Sequence, residues 1–193
     1  MMKVEPKNLH ISTRKEFPKL LKQLNLGGIW IEIGVWKGDF SEILMSGSPQ
    51  QLISVDAWNA NFCKAKWTQK DLDQAHIECK QRLSKFGEKS VIKKGTSAEV
   101  VKSFEDEFFD FIYIDAGHDY NNVKQDVSLW WPKLKKGGLF AGHDYFHRPN
   151  TTKEEWGVIP AIDEHMKNHN LKLYICEENG NKWKSWYCFK QKQ

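Results

Sequence analysis

The chain has 193 residues and a net charge of +4, from 29 basic and 25 acidic side chains spread along the sequence. We expect one domain over residues 1–193, with an N-terminal helical extension over 1–26 and a core over 27–190. No apolar run is long enough to predict a membrane span. No block of Lys and Arg is interleaved with aromatic residues, as is typical of nucleic-acid binding. The sequence therefore predicts neither a membrane partner nor a nucleic-acid partner.

The cysteines, Cys63, Cys79, Cys176 and Cys188, form neither a CxxC pair nor a regular close spacing. Reduced thiols, buried or at the surface, are the simplest interpretation. Charged residues and a proline interrupt residues 1–9, so this segment lacks the apolar core of a signal peptide. We expect a cytoplasmic protein.

The first predicted elements are a helix, a strand and a turn that contains glycine. Apolar side chains recur at helical spacing over residues 14–26, and this helix could pack on the domain and roof a site. A short apolar strand follows at 29–33. The turn from Gly34 to Gly38 lets the backbone approach a ligand closely before a helix N-terminus. Its glycine spacing matches neither the dinucleotide fingerprint nor a P-loop.

An acidic residue ends the second predicted strand, Leu52 to Val55. Asp56 follows Glu32 by 24 positions (56 − 32), where nucleoside-binding α/β folds place the carboxylate that accepts both ribose hydroxyls. A turn residue or a helix cap is the other interpretation of Asp56. After a third strand at 90–94, the small and hydroxyl residues of 95–99 could cap a helix over 99–104 or lie against a flat base.

Acidic and imidazole groups follow two further strands. The apolar run Phe109 to Ile114 is typical of a strand buried on both faces of a parallel sheet, and Asp115 and His118 come directly after it. A strand at 139–141 then leads to His143 and Asp144. Since ligands bind beyond the carboxyl ends of parallel strands, the two clusters predict a metal or proton-transfer site.

The remaining pattern completes an α/β chain. The other predicted elements are helices with apolar faces over 72–86, 120–134 and 160–169, a polar loop suited to a lid over 146–157, and strands over 171–176 and 183–189. Asn179-Gly180 between the last two strands is a strong hairpin signal. We predict a doubly wound, mostly parallel seven-stranded sheet with an antiparallel last strand.

Four characteristic segments occur in order along the chain: Ile31-Glu32-Ile33-Gly34-Val35-Trp36-Lys37-Gly38-Asp39-Phe40-Ser41, Val55-Asp56-Ala57-Trp58, Ile114-Asp115-Ala116-Gly117-His118-Asp119-Tyr120, and Gly137-Gly138 through His143-Asp144-Tyr145. Together they resemble the class I S-adenosylmethionine-dependent methyltransferases, and more closely the metal-dependent small-molecule O-methyltransferases that include the macrolide sugar enzymes. The resemblance spans roughly residues 27–190 and implies a Rossmann-like core that binds S-adenosylmethionine.

The resemblance also implies which residues bind the cofactor. The first glycine loop and the residue before it would hold the methionine end, Asp56 would bind the ribose, and the segment after the third strand would border the adenine. The implied cofactor-binding residues are Glu32, Gly34, Val35, Trp36, Gly38, Asp56, Ala57, Trp58, Ser97, Ala98 and Asp115.

The chemistry that the resemblance implies is metal-assisted proton removal. His118 would act as the general base, and Asp115 would serve as a metal ligand with a catalytic role. The family's second pattern ends in Asp-Asp-Tyr, whereas this chain has His143-Asp144-Tyr145. Asp144 carries over as a ligand. His143 would replace a hard oxygen donor with imidazole, which suits a transition metal better than magnesium, so the metal, Mg²⁺ or Mn²⁺, stays open.

The acceptor is expected to be a small molecule, with a sugar hydroxyl favoured and a phenol or catechol as the alternative. Trp36, Trp58 and Trp156 could wall its pocket, although such tryptophans are more often core. A nucleic-acid amino-methyltransferase would carry an Asn/Asp-Pro-Pro-aromatic turn, and a nicotinamide oxidoreductase would carry the missing glycine fingerprint. A non-catalytic module that binds S-adenosylmethionine and the formation of a homodimer both remain open.

Overall fold

The computed structural model describes residues 10–62, 67–180 and 183–191. Its strands are β1 (Ile29–Ile33), β2 (Gln51–Asp56), β3 (Ser90–Lys94), β4 (Phe109–Ile114), β5 (Leu134–Gly142), β6 (Tyr174–Cys176) and β7 (Ser185–Phe189). They form one seven-stranded sheet in the order β3-β2-β1-β4-β5-β7-β6. Only β7 runs antiparallel to its neighbours, β5 and β6. The predicted fold class is therefore confirmed.

Helices cover both faces of this sheet. They are α1 (Phe17–Gln23), α2 (Asp39–Met45), α3 (Gln69–Leu83), α4 (Ser97–Val100), α5 (Tyr120–Trp130) and α6 (Val158–Asn168). The alternation of side chains along each strand gives the sheet a packed core on each of its two faces. Along β1, Trp30 packs with residues of α1 and α2, whereas Ile31 and Ile33 pack with residues of α5 and α6.

The sheet order places a crevice between β1 and β4. The chain winds from β1 outward through β2 to β3, then returns to pair β4 with the other edge of β1. Ligands of open α/β sheets bind at such a switch point, beyond the carboxyl ends of the strands. The residues that follow β1 and β4 in the sequence, Gly34 and Asp115, therefore face each other at this edge.

The structure corrects two predicted boundaries. The predicted helix over 120–134 ends at Trp130, and the strand predicted to start at Leu139 starts at Leu134. The reason is pairing with the end of the chain, because Gly137 donates to the Lys190 carbonyl at 2.7 Å and Lys190 donates to the Gly138 carbonyl at 3.0 Å. These backbone bonds hold the glycine pair within β5, with Gly137 at φ +80°, instead of ending a helix.

Other boundaries differ by less. The N-terminal helix is shorter than predicted, with a 3₁₀ turn at Arg14–Glu16 leading into α1. The hairpin prediction lies partly outside the described residues, since Glu178–Gly180 is a short 3₁₀ turn and residues 181–182 are not described. The strands that it joins pair antiparallel as expected.

The thiols match their prediction where they can be compared. Cys79, Cys176 and Cys188 are free and buried, and burial raises the pKa of each. Cys63 lies outside the described residues. Across those same residues, none of the helices combines the length and apolarity needed to cross a membrane.

Candidate active site

The first glycine turn brings the ends of β1 and β4 together. Gly34 has φ +90°, and a Cβ at this position would lie 2.0 Å from the carbonyl oxygen of Asp115. Its own N–H donates to the Val55 carbonyl at 2.8 Å, and Asp115 N–H donates to the Ile33 carbonyl at 2.7 Å. Glycine is needed here because two backbones touch in a left-handed conformation that other residues rarely adopt.

Asp56 ties this turn to the end of β2. Its Oδ2 accepts the backbone N–H groups of Val35 and Trp36, each at 2.9 Å, and its Oδ1 accepts the N–H of Trp58 at 2.9 Å. A carboxylate offers about four lone-pair positions, so about one, on Oδ1, remains for a hydroxyl of a ligand. Asp56 and the adjacent Ala57 are partly exposed at the rim. The position fits a ribose.

The two tryptophans of this edge have different surroundings. Trp58 is fully buried, stacks on His76 at 4.1 Å, and donates its Nε1–H to the Trp36 carbonyl at 2.9 Å. The Trp58 ring therefore belongs to the core. The Trp36 ring instead lies 4.6 Å from the ring of Trp67, a residue that is 49% exposed. Of this pair, Trp36 is the one that lies near the surface.

Gly38, the residue directly before α2, has φ +80° and so ends the glycine turn in a left-handed conformation.

Glu32 is a buried carboxyl group beneath the same turn. It is only 2% exposed, and Ser41 donates a hydrogen bond to its Oε2. Burial raises the pKa of Glu32 to about 8. A positive group beside it would favour the ionised form. The methionine end of S-adenosylmethionine carries an ammonium and a sulfonium, so this carboxyl group fits the cofactor.

The segment after β3 is a helix cap. Thr96 accepts the N–H of Glu99, and Glu99 reaches back to Thr96, which forms a capping box at the start of α4. The capping interpretation is thus confirmed for Thr96. Ser97 faces α5, where it accepts from Trp130 Nε1 at 2.8 Å and hydrogen-bonds Asp126. Ala98 follows in the first turn of α4. The structure leaves the proposed adenine contact of this segment as a prediction.

Three charged or polar side chains converge beyond β4 and β5. Asp115, His118 and Asp144 each offer one ligand atom, and these atoms lie within 4.8 Å of one another. His118 Nε2 lies 2.6 Å from Asp144 Oδ2. Burial lowers the pKa of His118, but the hydrogen bond to Asp144 and the charges of Asp144 and Asp115 raise it overall. Two carboxylates and an imidazole suit a divalent ion such as Mn²⁺.

The N-terminal extension reaches this cluster. Arg14 Nη1 lies 3.1 Å from Asp115 Oδ2, and its guanidinium lies 4.9 Å above the ring of Phe40. Burial raises the pKa of Asp115, and the guanidinium opposes this shift. Sequence analysis missed Arg14, although the expectation that this segment roofs the site pointed to its neighbourhood. The two residues are 101 positions apart, so no local pattern pairs them.

His143 turns toward β7. Its Nδ1 lies 3.0 Å from Ser185 Oγ, and its Nε2 lies 3.9 Å from Asp144 Oδ1. The group that converges within 4.8 Å thus contains His118 rather than His143. The predicted ligand set of Asp115, His143 and Asp144 stays a prediction, with His143 at its margin.

The loop over 146–157 covers the exposed side of His118. Trp156 stacks on the His118 ring at 4.7 Å, and Gly157 N–H donates to the His118 carbonyl at 2.7 Å. Phe146 and Trp183 pack against each other with ring centroids 4.4 Å apart, and both contact Trp156. An apolar aromatic wall therefore stands beside the imidazole, and Trp156 belongs to it.

The fold and this edge define a ligand-binding α/β protein with an acid–base cluster at its switch point. A family model described as "Methyltransferase domain" matches residues 31–145, which is more than half of the chain. The chain therefore belongs to the methyltransferase domain family. This confirms the expectation of a methyltransferase. No curated protein sequence is significantly similar to the chain.

Solved structures share the fold at low sequence identity. An O-methyltransferase from Bacillus cereus in complex with S-adenosylhomocysteine is 14% identical, with a TM-score of 0.66 and coverage of 97% of this chain and 83% of that one. The O-methyltransferase TomG from Streptomyces achromogenes, involved in tomaymycin synthesis and bound to S-adenosylmethionine, is 12% identical, with a TM-score of 0.66 and coverage of 96% and 83%. A candidate O-methyltransferase from Klebsiella pneumoniae is 16% identical, with a TM-score of 0.71 and coverage of 97% and 84%.

Proposed function

We propose that the protein transfers a methyl group from S-adenosylmethionine to a hydroxyl of a small molecule, with a sugar or glycoside as the favoured acceptor. The observation that carries this proposal is the pair of His118 and Asp144, 2.6 Å apart, beside Asp115 at the switch point of the sheet. Two structural neighbours are O-methyltransferases with S-adenosylmethionine or its product bound, which supports the choice of cofactor.

The cofactor would lie across the ends of β1, β2 and β4. The carboxylate of Asp56 would accept a ribose hydroxyl, while Glu32 and the turn from Gly34 to Gly38 would hold the methionine end. Ser97 and Ala98 would border the adenine. When bound, the cofactor supplies a methyl group on a sulfonium, and the chain must bring an acceptor oxygen in line with it.

His118 would take the proton of the acceptor hydroxyl. Because the Asp144 carboxylate can only accept, the His118 nitrogen that faces it, Nε2, carries a hydrogen. In the neutral ring the other nitrogen, Nδ1, then holds the lone pair, and this nitrogen is the base. Asp144 orients the ring and stabilises the imidazolium that forms. General-base catalysis of this kind contributes about 10²- to 10⁴-fold to the rate.

A divalent cation, Mg²⁺ or Mn²⁺, would be held by Asp115 and Asp144 with the imidazole of His143. It would supply a Lewis acid that lowers the pKa of an acceptor hydroxyl. In this structure Arg14 already lies against Asp115. The guanidinium places a fixed positive charge beside the same carboxylate, so a cation would share Asp115 with it or displace it.

The acceptor would rest on the aromatic wall of Phe146, Trp156 and Trp183. Aromatic faces pack against the apolar face of a sugar ring or against a phenol. The resemblance to glycoside-modifying enzymes favours the sugar. We propose a cytoplasmic location and no nucleic-acid or membrane partner, with a homodimer as an open alternative to a monomer.

A methyl-transfer assay with methyl-labelled S-adenosylmethionine tests the proposal. We expect label in glycoside acceptors with Mg²⁺ or Mn²⁺ present, and loss of transfer in His118→Ala while S-adenosylhomocysteine still binds. Transfer to catechols alone would replace the sugar with a phenolic acceptor. Cofactor binding without transfer to any acceptor would contradict catalysis and favour the non-catalytic module.

A further inference from the structure

We infer that Ser185 on β7 is a positioning residue that fixes the tautomer of His143, so that His143 Nε2 presents a lone pair to the site. Ser185 itself is fully buried and acts only through the imidazole. The tautomer follows from hydrogen-bond geometry alone. The use of that lone pair as a cation ligand rests on the metal-assisted reaction proposed above.

The argument starts from the single hydrogen of the Ser185 hydroxyl. Ser185 Oγ lies 3.0 Å from Glu178 Oε1, 2.9 Å from Tyr113 Oη and 3.0 Å from His143 Nδ1. A carboxylate can only accept, so the Ser185 hydrogen goes to Glu178. The two lone pairs of Oγ are left for the other two neighbours, and both neighbours must donate.

The neighbours can satisfy this requirement. Tyr113 has one hydroxyl hydrogen, and the Arg14 guanidinium, which only donates, interacts with the Tyr113 oxygen. The Tyr113 hydrogen is thus directed to Ser185 Oγ. Glu178 Oε1 is held in place because it also accepts the backbone N–H of Arg14 at 2.8 Å. His143 Nδ1 must then carry a hydrogen and donate it to Ser185.

A neutral imidazole carries one hydrogen, so His143 Nε2 holds a lone pair. This nitrogen lies 3.9 Å from Asp144 Oδ1, on a side chain that is 12% exposed. His118 approaches the other oxygen of Asp144 with an N–H group. The two imidazoles therefore face one carboxylate in opposite states, one as a donor and one as an acceptor.

This arrangement gives His143 a defined use. A histidine that ligates a metal commonly donates its other ring N–H to a neighbouring group, which fixes the ring and its tautomer. Ser185 accepts such a bond here. The geometry assigns His143 Nε2 as a nitrogen ligand for a divalent cation at Asp144, which an Nε2–H tautomer could not be.

The tautomer can be read directly by ¹⁵N NMR of the metal-free protein without cofactor. Wild type should show His143 protonated at Nδ1 and bare at Nε2. Ser185→Ala should shift the ring toward the other tautomer, and Ser185→Thr, which keeps the hydroxyl, should restore it. Tyr113→Phe, which removes a different partner of Ser185, should leave the tautomer unchanged. The inference would be overturned if His143 carried its hydrogen on Nε2 in wild type, or if its tautomer were the same in Ser185→Ala as in wild type.

The ligand role is tested with Mn²⁺ alone, measured by electron paramagnetic resonance of the free ion. Loss of a residue that orients a metal ligand typically costs 10- to 100-fold in affinity. We expect Ser185→Ala to weaken Mn²⁺ binding by about 10-fold or more, and Tyr113→Phe and Ser185→Thr to bind as wild type does. Equal weakening in Tyr113→Phe would indicate a merely structural effect and overturn the assignment.

A negative result in the NMR or the Mn²⁺-binding experiment can be distinguished from failure of the proposed methyl transfer. Absence of Mn²⁺ binding to wild type would overturn the ligand role of His143 while methyl transfer is judged by its own assay. Thermal unfolding of each variant identifies a loss of fold. If Ser185→Ala unfolds, Ser185→Cys, with its much weaker hydrogen-bonding group, takes its place in both arms.

Discussion

The two halves of the site are built in different ways. At the ends of β1 and β2, one carboxylate, Asp56, collects backbone N–H groups from residues 20 and 21 positions before it and 2 positions after it. At the ends of β4 and β5, side chains meet side chains from remote segments, with Arg14 joined to Asp115 across 101 positions and His143 to Ser185 across 42. The first half is a pre-formed backbone turn, and the second is an assembled cluster.

This difference separates binding from chemistry. The turn at β1 needs only glycine and one acid to keep its shape, so it can hold a cofactor whatever the acceptor is. The cluster at β4 and β5 needs several ionisable groups in defined protonation states. Substitutions of His118 and His143 in the second half should therefore change the reaction while leaving cofactor binding intact.

The largest expected effect comes from His118→Ala. Removal of the base should lower kcat by about 10²- to 10⁴-fold, because the acceptor hydroxyl keeps its proton. The affinity for S-adenosylhomocysteine should not change, as measured by calorimetry. His147→Ala, at an exposed histidine of the same loop region, is the matched control and should leave both quantities unchanged. A comparable loss of cofactor binding in His118→Ala would contradict the assignment of cofactor binding to the first half and of the reaction to the second.

A tenfold effect is expected from His143→Asp, which restores the Asp-Asp-Tyr pattern of the resembled family. A carboxylate oxygen suits Mg²⁺, whereas imidazole suits transition metals. The ratio of Mg²⁺-supported to Mn²⁺-supported activity should rise by about tenfold, the low end of the effects that groups around a metal produce. His147→Asp serves as the control for added charge. An unchanged ratio would place His143 outside the cation site.

The smallest effect concerns Glu32 in the first half. With its pKa raised to about 8, Glu32 is mostly protonated at pH 7. A positive ligand group beside it favours the carboxylate, so binding of S-adenosylhomocysteine at pH 7 should release up to about one proton from Glu32. Calorimetry in buffers of different ionisation enthalpy measures this number. The release should vanish in Glu32→Gln and persist in Glu88→Gln, an exposed control. Equal release in Glu32→Gln would assign the proton to another group.

Local patterns predict the first half well. Buried apolar runs predict where the strands lie. The positions of Gly34 and Asp56 at strand ends predict a turn and a carboxylate at one edge of the sheet. The pattern predicts the end of α5 too late because Leu134 continues the apolar spacing of the helix, whereas its pairing partner, Phe109, lies in β4. Periodicity within one segment cannot report such pairing.

The second half could be predicted only in part. Asp115, His118 and Asp144 were expected at one edge because parallel strands end together. Arg14, Glu178 and Ser185 were not, since their roles depend on contacts with segments far away in the chain. His143 was expected to face a metal, and its bond to Ser185 appears only when β7 inserts beside β5.

Isothermal titration of S-adenosylhomocysteine into the protein, with and without Mg²⁺ or Mn²⁺, tests the central claim most directly. We predict binding to wild type and a loss of about tenfold or more in Asp56→Ala, because hydrogen bonds to a charged group contribute about 1.5–3 kcal/mol. Thermal unfolding of the variant controls for its fold. Failure of wild type to bind under every metal condition would contradict the assignment of the cofactor and of the reaction.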